Sequence, residues 1–548
     1  MKAIKDLEFG FADAVNYRKR ENKELFNKIF VKGEYLDKLC DSNTYFLIGE
    51  KGTGKTAYAI YLTNNFYKNI KASTKFVRET DYSKFIQLKK EKHLTISDFT
   101  NIWKVILYLL LSDQIKNTEE NIISSIFQKF KAINEAIHEY YSGAFNPEIV
   151  QAITLVEHSK DAAEIIFGKY AKLGAEESQQ LTFTESRFQT NLGFIERKFK
   201  ESLFQLKLKH DHILFIDGID VRPSQIPFDE YQECVKGLAN AVWELNNDVF
   251  PAIKDSKGRM RIVLLIRPDI FDSLGLQNQN TKLHDNSIFL DWRTDYKSYR
   301  TSKIFSIFDH LLHAQQEEKK EKILGDAWDY YFPWEAPNLH DEYDTMTSFI
   351  SFLRRSYYRP RDILQMLTYL QKNKHSTENS ITKEDFENTV FQREYSTYLL
   401  GEIKDHLLFY YSQNDYQNFL KFFEFLNGKN RFDYSGYIES FENLQNHLNS
   451  TSVETPKFMN TANEFLQFLF DLNVIAYVDM PENGGKPYIH WCFKDRNYAN
   501  ISPKVKTKTE YIVFVGLEKA LDLGTRFKHK QVQSAFPPSA CEATPSKP

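Results

Sequence analysis

The sequence FLIGEKGTGKTAYAIYL, residues 46–62, joins a short apolar run to a glycine-rich loop and then to a stretch with helical spacing. The loop from Gly49 to Thr56 matches the pattern G-x-x-x-x-G-K-[ST] at every fixed position. Glycines let such a loop turn its backbone N–H groups toward phosphate oxygens, and the positive end of the following helix adds to the attraction. The alternative is a glycine turn that ends in a solvated lysine. The strand-like and helix-like flanks favour a phosphate-binding loop in an α/β protein.

The residues of this loop are expected to bind a nucleotide through different groups. Lys55 would reach the β- and γ-phosphates, and the hydroxyl of Thr56 would bind Mg²⁺. The other loop residues would surround the phosphates with backbone N–H groups; they are Gly49, Glu50, Lys51, Gly52, Thr53 and Gly54.

A second apolar run, ILFIDGID at residues 213–220, supplies the acid that a magnesium–nucleotide site needs at the end of a neighbouring strand. Asp217 is the candidate, acting on the metal through water, although a strand that ends in aspartate can also be only a solvated strand end. Asp220 is the candidate to orient or deprotonate the attacking water. Gly218 stands directly after the aspartate, where many hydrolases carry a catalytic glutamate.

Two arginines follow apolar or helical stretches in positions that suit phosphate contacts. LLIRPD places Arg267 at the end of a predicted strand, where a polar side chain can sense the γ-phosphate. Pairing with surface acids is the alternative for this residue. YRPRDIL places Arg361 at the start of a predicted helix, from which its guanidinium can reach phosphates from a second domain. A purely structural arginine is the alternative there.

The composition predicts several domains without a membrane span. The chain has 548 residues, of which 42% are hydrophobic and 26% charged, and its formal net charge is −3. No global positive field therefore attracts nucleic acid or anionic membrane. The longest apolar run, Val105 to Leu111, is much shorter than the ~18 residues of a spanning helix. The N-terminal sequence lacks a secretory signal, so we expect a cytoplasmic protein.

Apolar runs of strand length alternate with helical patterns, which predicts a doubly wound parallel sheet. The predicted strands lie near residues 44–49, 75–79, 212–217, 261–269 and 287–292. We expect five regions: an N-terminal helical segment (1–39), an α/β core (40–295) with a helical insertion at about 112–190, a helical lid (296–393), a C-terminal domain (394–522) and a disordered tail (523–548). The tail is rich in proline and lacks periodicity.

Residues 458–493 predict a helix followed by a β-hairpin around PENGGK. The helix near residues 461–470 carries few basic side chains, and positive charge appears only nearby, at Lys486, Lys494, Arg496, Lys504, Lys506 and Lys508. DNA binding by this module therefore stays an alternative to packing or partner docking. His490 and Cys492 are expected on one face of a strand, in core packing rather than as metal ligands. The four cysteines form no CxxC pair, which argues against disulfides or a zinc site.

These motifs, in this order, resemble the AAA+ and STAND superclass of P-loop ATPases, including the origin-recognition type. More narrowly, the chain resembles free-standing bacterial P-loop ATPases with a FIDGID-type Walker B strand. The resemblance covers about residues 40–520 and implies an ASCE-type core with strand order 5-1-4-3-2, a helical lid and a C-terminal winged helix. It makes residues 49–56 the Walker A loop, Asp217 the Walker B acid, Arg267 sensor 1 and Arg361 sensor 2.

The chain departs from this family pattern at three places. The insertion separates the two Walker motifs by more residues than a plain module has, and Tyr358 stands where glycine is common before sensor 2. The absence of glutamate after Asp217 predicts slow turnover.

The sequence and the resemblance together predict an ATPase that binds ATP and Mg²⁺. We find no LSGGQ-like signature and no Asn-Lys-x-Asp guanine reader, so adenine is the expected base. The first hypothesis is a nucleotide-gated switch that controls a partner protein or self-assembly, with a role in bacterial defence or mobile-element biology by family analogy. The alternative is a DNA-binding initiator or loader that uses its winged helix under ATP control.

Overall fold

The computed structural model describes residues 1–77, 96–118, 206–222, 226–317, 323–337, 345–374, 379–450, 454–481 and 487–524, with isolated positions between 193 and 204. Most of the predicted insertion, the hairpin tip at 482–486 and residues 525–548 of the predicted tail lie outside the described residues.

A parallel five-stranded sheet forms the centre of the core. Its strands are β1 (Phe46–Ile48), β2 (Ile70–Phe76), β3 (Asp211–Asp217), β4 (Met260–Ile266) and β5 (Ser287–Phe289). They are ordered β2-β3-β4-β1-β5, and every neighbouring pair is parallel. This arrangement confirms the predicted α/β class and is the expected 5-1-4-3-2 order. All five strands overlap predicted strand segments, although β2 shares only residues 75 and 76 with its segment.

Both faces of the sheet are buried, as continuous apolar strands require. In β1, Phe46 and Ile48 point into one hydrophobic cluster and Leu47 points into the other. Strand β3 alternates in the same way, with Phe215 on one side and Leu214 on the other. Because these strands are parallel, the carboxyl ends of β1, β3 and β4 lie at the same edge of the sheet, beside the glycine-rich loop that follows β1.

Strand β2 begins five residues before and ends three residues before the strand predicted at 75–79. Its sequence, IKASTKF, has little apolar character, so the pattern predicted only its last two residues. The strand is defined by parallel pairing with β3, from Ile70 opposite Asp211 to Phe76 opposite Asp217. Pairing with β3, rather than local propensity, therefore determines where this strand lies.

The core helices are α1 (Lys23–Ile29), α2 (Glu34–Leu39), α3 (Lys55–Asn64), α4 (Ile96–Thr118), α5 (Phe228–Glu244), α6 (Pro268–Ser273) and α7 (Gln279–Asp285). Helix α4 is apolar on all sides between Val105 and Leu111, and these residues are buried between α5 and the sheet. This run is thus a core helix. Among the described helices, none has the length and hydropathy that a bilayer crossing requires.

The predicted lid region contains α8 (Lys303–His313), α9 (Asp326–Tyr331), a two-stranded pair of β6 (Glu335–Pro337) and β7 (Thr345–Thr347), α10 (Phe349–Arg355), α11 (Pro360–Asn373) and α12 (Lys383–Glu387). Pro360 is the first residue of α11, where its missing N–H costs no hydrogen bond. Helix α11 buries Ile363, Met366, Leu367 and Leu370, a spacing that forms one apolar face.

The C-terminal half begins with the long helix α13 (Thr389–Tyr410), which runs through the predicted boundary at 393/394. It continues with α14 (Gln413–Phe425), β8 (Arg431–Asp433), α15 (Tyr434–Ser450), α16 (Ala462–Asp471), β9 (Ile475–Asp479), β10 (Tyr488–His490), α17 (Cys492–Asp495) and β11 (Glu510–Val513). The antiparallel sheet has the order β10-β9-β11-β8. Leu523 is buried, so ordered structure extends into the start of the predicted tail.

His490 and Cys492 do not share a strand, because β10 ends at His490 and Cys492 begins α17. The His490 ring stacks on Tyr477 and contacts Asp495 at 3.0 Å, while Cys492 is fully buried. Within the described ranges, no three His, Cys, Asp or Glu side chains converge to hold a metal ion.

Candidate functional site

The glycine-rich loop connects β1 to α3 and curls through a conformation that its glycines permit. Gly52 and Gly54 have φ angles of +91° and +97°, in the left-handed region that favours glycine. Gly54 is the residue before α3, whose first residue is Lys55. The loop therefore ends at the N-terminus of a ten-residue helix, where backbone N–H groups and the helix dipole attract anions.

The Lys55 side chain folds back over the glycine-rich loop that precedes it. Its Nζ donates to the carbonyl oxygens of Gly49 at 2.7 Å and Glu50 at 3.2 Å, and its side chain is only 8% exposed. Burial lowers the pKa of Lys55, and the nearby carboxylates of Asp220 and Asp217 act in the opposite direction. A buried ammonium that is bound to neutral carbonyls alone can exchange them for phosphate oxygens.

Thr56 and Asp217 meet across the site. The Thr56 hydroxyl donates to Asp217 Oδ2 at 2.6 Å, and the Gly218 N–H donates to Asp217 Oδ1 at 2.7 Å. Burial raises the pKa of Asp217 to about 6, with a further contribution from the charge of Asp220. The hydroxyl and carboxylate oxygens fit Mg²⁺, which prefers oxygen ligands and commonly takes only one or two from protein beside phosphates.

Gly218 cannot be replaced by an acid without moving the backbone. It has a φ of +85°, and a Cβ at this position would lie 2.5 Å from the carbonyl oxygen of Val77. The space that a glutamate would need is therefore occupied by the chain that follows β2. Asp220, two residues later, lines the same cavity as Asp217 and Lys55.

A cavity of about 430 Å³ extends from the phosphate loop. Its polar end contains the loop residues 51–56, Asp217 and Asp220. Its other end is largely apolar and is formed by the N-terminal segment and by the lid helices α8 and α11; the apolar lining includes Phe9, Phe11, Val15, Phe26, Ile29, Phe30, Phe308, Leu311 and Leu364. A pocket that combines the polar groups of this loop with an apolar lining suits a nucleotide.

Residues 1–17, here called the N-terminal strap, cover this cavity and connect the core with the lid. Gln371 of α11 donates to the carbonyl oxygens of Ile4 and Leu7, both at 2.7 Å. On the core side, Asn64 of α3 donates to the carbonyl oxygen of Tyr17 at 2.9 Å. The sequence predicted only a helical segment here, because no local pattern marks an irregular chain as the wall of a pocket.

The structure places Arg361 beside the phosphate loop. Its backbone N–H donates to the Gly52 carbonyl oxygen at 3.3 Å, and its Nε donates to Ala12 of the strap at 3.1 Å. Arg359, which the sequence analysis did not select, donates to the Lys51 carbonyl oxygen at 3.2 Å. Two lid arginines therefore contact consecutive loop residues, and Arg361 lines the cavity.

Tyr358 has a left-handed backbone conformation, which usually favours glycine. Its φ is +56°, which is uncommon for a bulky side chain. The buried ring is held in place by contacts from the C-terminal half: Phe493 packs edge-on with ring centroids 5.6 Å apart, and the Lys494 ammonium lies 5.0 Å from the ring centroid. Burial lowers the pKa of Lys494 to about 8.

Arg267 does not line the cavity but lies behind the loop, in a polar junction with the C-terminal half. Its Nε and Nη2 donate to the two carboxylate oxygens of Asp269 at 3.1 and 2.7 Å. Its guanidinium also lies 4.7 Å from the ring centroid of Phe409 in α13. The residue pairs with an acid, as the alternative reading expected, but it is buried, with 3% of its surface exposed.

The side chains of the two loop residues that follow Gly49 also point into this junction. Glu50 forms an ion pair with Arg496. Lys51 contacts Asp405 at 2.7 Å and Glu402 at 3.3 Å, both on α13. The glycine-rich loop is therefore in contact with the core, the lid and the C-terminal half, and no sequence pattern predicted the last of these contacts.

Several basic residues outside the cavity form contacts within the chain. Arg222 donates to the Phe409 carbonyl oxygen at 2.6 Å, and Arg293 pairs with Asp291. Lys506 contacts Asp479 at 2.7 Å. On α16, Gln467 donates to Asp471 and to the Pro503 carbonyl oxygen.

No protein-family model, no curated protein and no solved structure matches the chain. The resemblance to AAA+ and STAND ATPases therefore rests on the motifs and their order alone.

Proposed function

We propose that the protein is an ATP-binding P-loop ATPase that acts as a nucleotide-gated switch. The observation that carries the proposal is the 2.6 Å contact between Thr56 and Asp217 at the polar end of the cavity. It joins a complete phosphate-loop motif to an acidic strand end, the pair of oxygen ligands that a magnesium–triphosphate site uses.

The proposed substrate pose follows from the two ends of the cavity. The phosphates bind along residues 49–56, with Lys55 leaving the carbonyls of Gly49 and Glu50 to bind the β- and γ-phosphates. The base occupies the apolar end beneath the strap and lid. Adenine is the proposed base, since the sequence contains no guanine-reading motif.

In the proposed reaction, water attacks the γ-phosphate of ATP to give ADP and phosphate. Thr56 and Asp217 would hold Mg²⁺, which when bound would neutralise the charge of the phosphates. Asp220 orients the attacking water or accepts its proton. Turnover is slow because position 218 has no room for the acid that would stand closest to that water.

The switch function is supported by the contacts that meet at the phosphate loop. Arg361 binds the loop from the lid, and Arg496 and Asp405 bind it from the C-terminal half. A bound nucleotide would change the contacts of the loop with the core, the lid and the C-terminal half. It would thereby change the surface offered to a partner protein or a second copy of the chain. An ASCE-type core, a winged helix in the C-terminal half, AAA+/STAND membership and a role in bacterial defence or mobile elements belong to the same proposal by analogy.

The contacts of α16 do not favour the DNA-binding alternative. Gln467 is bonded within the module, and Asn463 accepts a hydrogen bond from Tyr434 at 3.2 Å. Addition of duplex and single-stranded DNA to the turnover assay tests this alternative directly: stimulation at low salt that disappears at high salt would support it.

The proposal is tested by calorimetric titration of ATP and ADP with Mg²⁺, beside a turnover assay. Lys55→Ala should remove measurable binding, whereas Lys38→Ala, at an exposed lysine of α2, should not. Asp220→Asn should retain ATP affinity and lose about 100-fold in turnover, the usual contribution of a general base. Unchanged ATP affinity in Lys55→Ala would refute the proposed site.

A further inference from the structure

Tyr58 of α3 lines the cavity beside its apolar end. It follows Lys55 by three residues, or about 4.5 Å along the helix, so the two side chains leave α3 nearly one turn apart. The Tyr58 ring packs edge-on against Phe30, which also lines the cavity, with ring centroids 5.4 Å apart. Helix α3 therefore presents a lysine to the phosphate loop and a tyrosine to the aromatic lining beyond it.

The Tyr58 hydroxyl is a polar group on an otherwise buried ring. The residue is 6% exposed, and its hydroxyl forms no hydrogen bond with any residue in the part of the chain that the structure describes. The hydroxyl is not sealed inside the core, because it keeps accessible surface and the residue lines the cavity. Burial raises the pKa of Tyr58, so the hydroxyl keeps its proton and can donate a hydrogen bond.

Other polar side chains of this lining are already bonded to backbone groups of the chain; they are Asp13, Tyr17, Trp292 and Arg361. The Tyr17 hydroxyl, for example, accepts from the Phe11 N–H at 2.8 Å, and the Trp292 indole donates to the Thr53 carbonyl oxygen at 2.9 Å. Polar groups in protein interiors almost always have a partner. A ligand that enters the cavity is therefore the partner that the Tyr58 hydroxyl is placed to meet.

We propose that the Tyr58 hydroxyl binds the base of the nucleotide and is a specificity-determining residue of the site. The inference rests on the proposed function, which puts the phosphates at residues 49–56 and the base at the apolar end. A ring nitrogen of adenine accepts the hydrogen bond, and the surrounding aromatic rings supply apolar contact. A site of this kind rejects analogues that lack the acceptor, because its own polar group would then stay unpaired.

The substitution Tyr58→Phe tests the proposal, because it removes the hydroxyl and keeps the ring. It removes no hydrogen bond between described residues, so stability to urea should stay close to that of wild type. Tyr61→Phe is the matched control. Tyr61 lies on the same helix, is 4% exposed and stacks on Phe30 with ring centroids 4.1 Å apart, but in the described part of the chain it does not line the cavity.

The measurement is the dissociation constant of ATP and of ribose 5-triphosphate, each with Mg²⁺, by calorimetry on the full chain. Ribose 5-triphosphate carries the sugar and the phosphates of ATP without its base. Tyr58→Phe should weaken ATP binding by about threefold to tenfold, the usual effect of one neutral hydrogen bond, and leave ribose 5-triphosphate unchanged. Tyr61→Phe should change neither ligand.

Unchanged ATP affinity in Tyr58→Phe overturns the proposal. An equal loss for ATP and ribose 5-triphosphate overturns it too, because the hydroxyl would then act on the sugar or the phosphates, or through the structure of the site. Failure of the proposed function is a different result, in which the wild-type chain and Lys55→Ala bind ATP equally.

Discussion

Glu50 and Arg496 form an ion pair across a sequence separation of 446 residues. The pair joins the phosphate loop to the segment that follows α17, and Arg496 also donates to the sulfur of Cys492 at 3.3 Å. Burial would raise the pKa of Glu50, but the Arg496 charge holds it below its usual value. The glycine-rich loop thus carries a negative side chain that is paired with an arginine of the C-terminal half.

Arg496→Ala should weaken both the fold and nucleotide binding. Removal of one member of a buried ion pair leaves the other charge uncompensated, at a typical cost of about 3–5 kcal/mol. Here the remaining charge is Glu50, beside the phosphates, so ATP affinity should also fall. Urea unfolding and calorimetric titration measure the two effects.

The double variant Glu50→Ala/Arg496→Ala is the control for this pair. It should be more stable than Arg496→Ala alone, because no unpaired charge remains. If the two single losses simply add in the double variant, the pair does not couple the two regions.

Gly218→Ala should destabilise the protein by about 1–3 kcal/mol, because alanine must adopt a positive φ there and its Cβ approaches the Val77 carbonyl oxygen. Gly218→Glu should destabilise it further without raising turnover. Gly401→Ala is the matched control: this helical glycine of α13 has open space around its Cβ position, so alanine should stabilise by up to about 1 kcal/mol. Faster hydrolysis in Gly218→Glu would contradict the account of slow turnover.

Asp217 should destabilise the metal-free protein at neutral pH. Its pKa in the folded state is about 6, above the ordinary aspartate pKa of 3.8, so the folded state binds its proton more tightly than the unfolded state does. The stability that this group contributes is therefore present below about pH 4 and is lost as the pH rises through 6. Asp217→Asn should be more stable than wild type at pH 8 by up to ~3 kcal/mol and equal to it near pH 4.

Chemical unfolding in the presence of a chelator, at pH 4 to 8, measures this difference. Asp255→Asn, at an exposed aspartate, controls for the substitution itself. A stability difference between wild type and Asp217→Asn that stays constant with pH would contradict the prediction.

Gln371→Leu should speed the release of bound nucleotide. The variant removes both hydrogen bonds that tie the strap to α11, each at 2.7 Å. Bonds of this kind contribute about 1 kcal/mol each, so the loss of both should raise the dissociation rate by up to about 30-fold, as followed by stopped-flow displacement. Thr368→Ala, at an exposed position of the same helix, should not change it. A rate that is equal in all three proteins would show that the strap does not retain the ligand.

The parts of the fold that the sequence predicted are those with local signals. β1, β3, β4 and β5 are short apolar runs, and the phosphate loop is a motif within eight residues. Asp217 was selected because it ends an apolar run, and the end of a parallel strand lies beside the loop that follows a neighbouring strand.

The rest depends on pairings that no local pattern records. The position of β2 depends on its pairing with β3. The strap lines the cavity only together with the lid helices that pack around it. The contacts of Glu50 with Arg496 and of Arg267 with α13 join residues that are distant in sequence. The conformation of Tyr358 could not be predicted from the sequence either, because a tyrosine with a positive φ is stable only through its tertiary neighbours.

Helix α13 connects two distant parts of the molecule. Its 22 residues extend over about 33 Å. Near its C-terminal end, His406, Phe409 and Tyr410 contact Arg267 and Asp269, and its first turns pack against α12 through Phe391 and Phe386. Because the helix is held at both ends, it cannot swing freely and moves only together with its neighbours. In the proposed switch, a change at the glycine-rich loop would therefore reach α12 as a shift of one continuous helix.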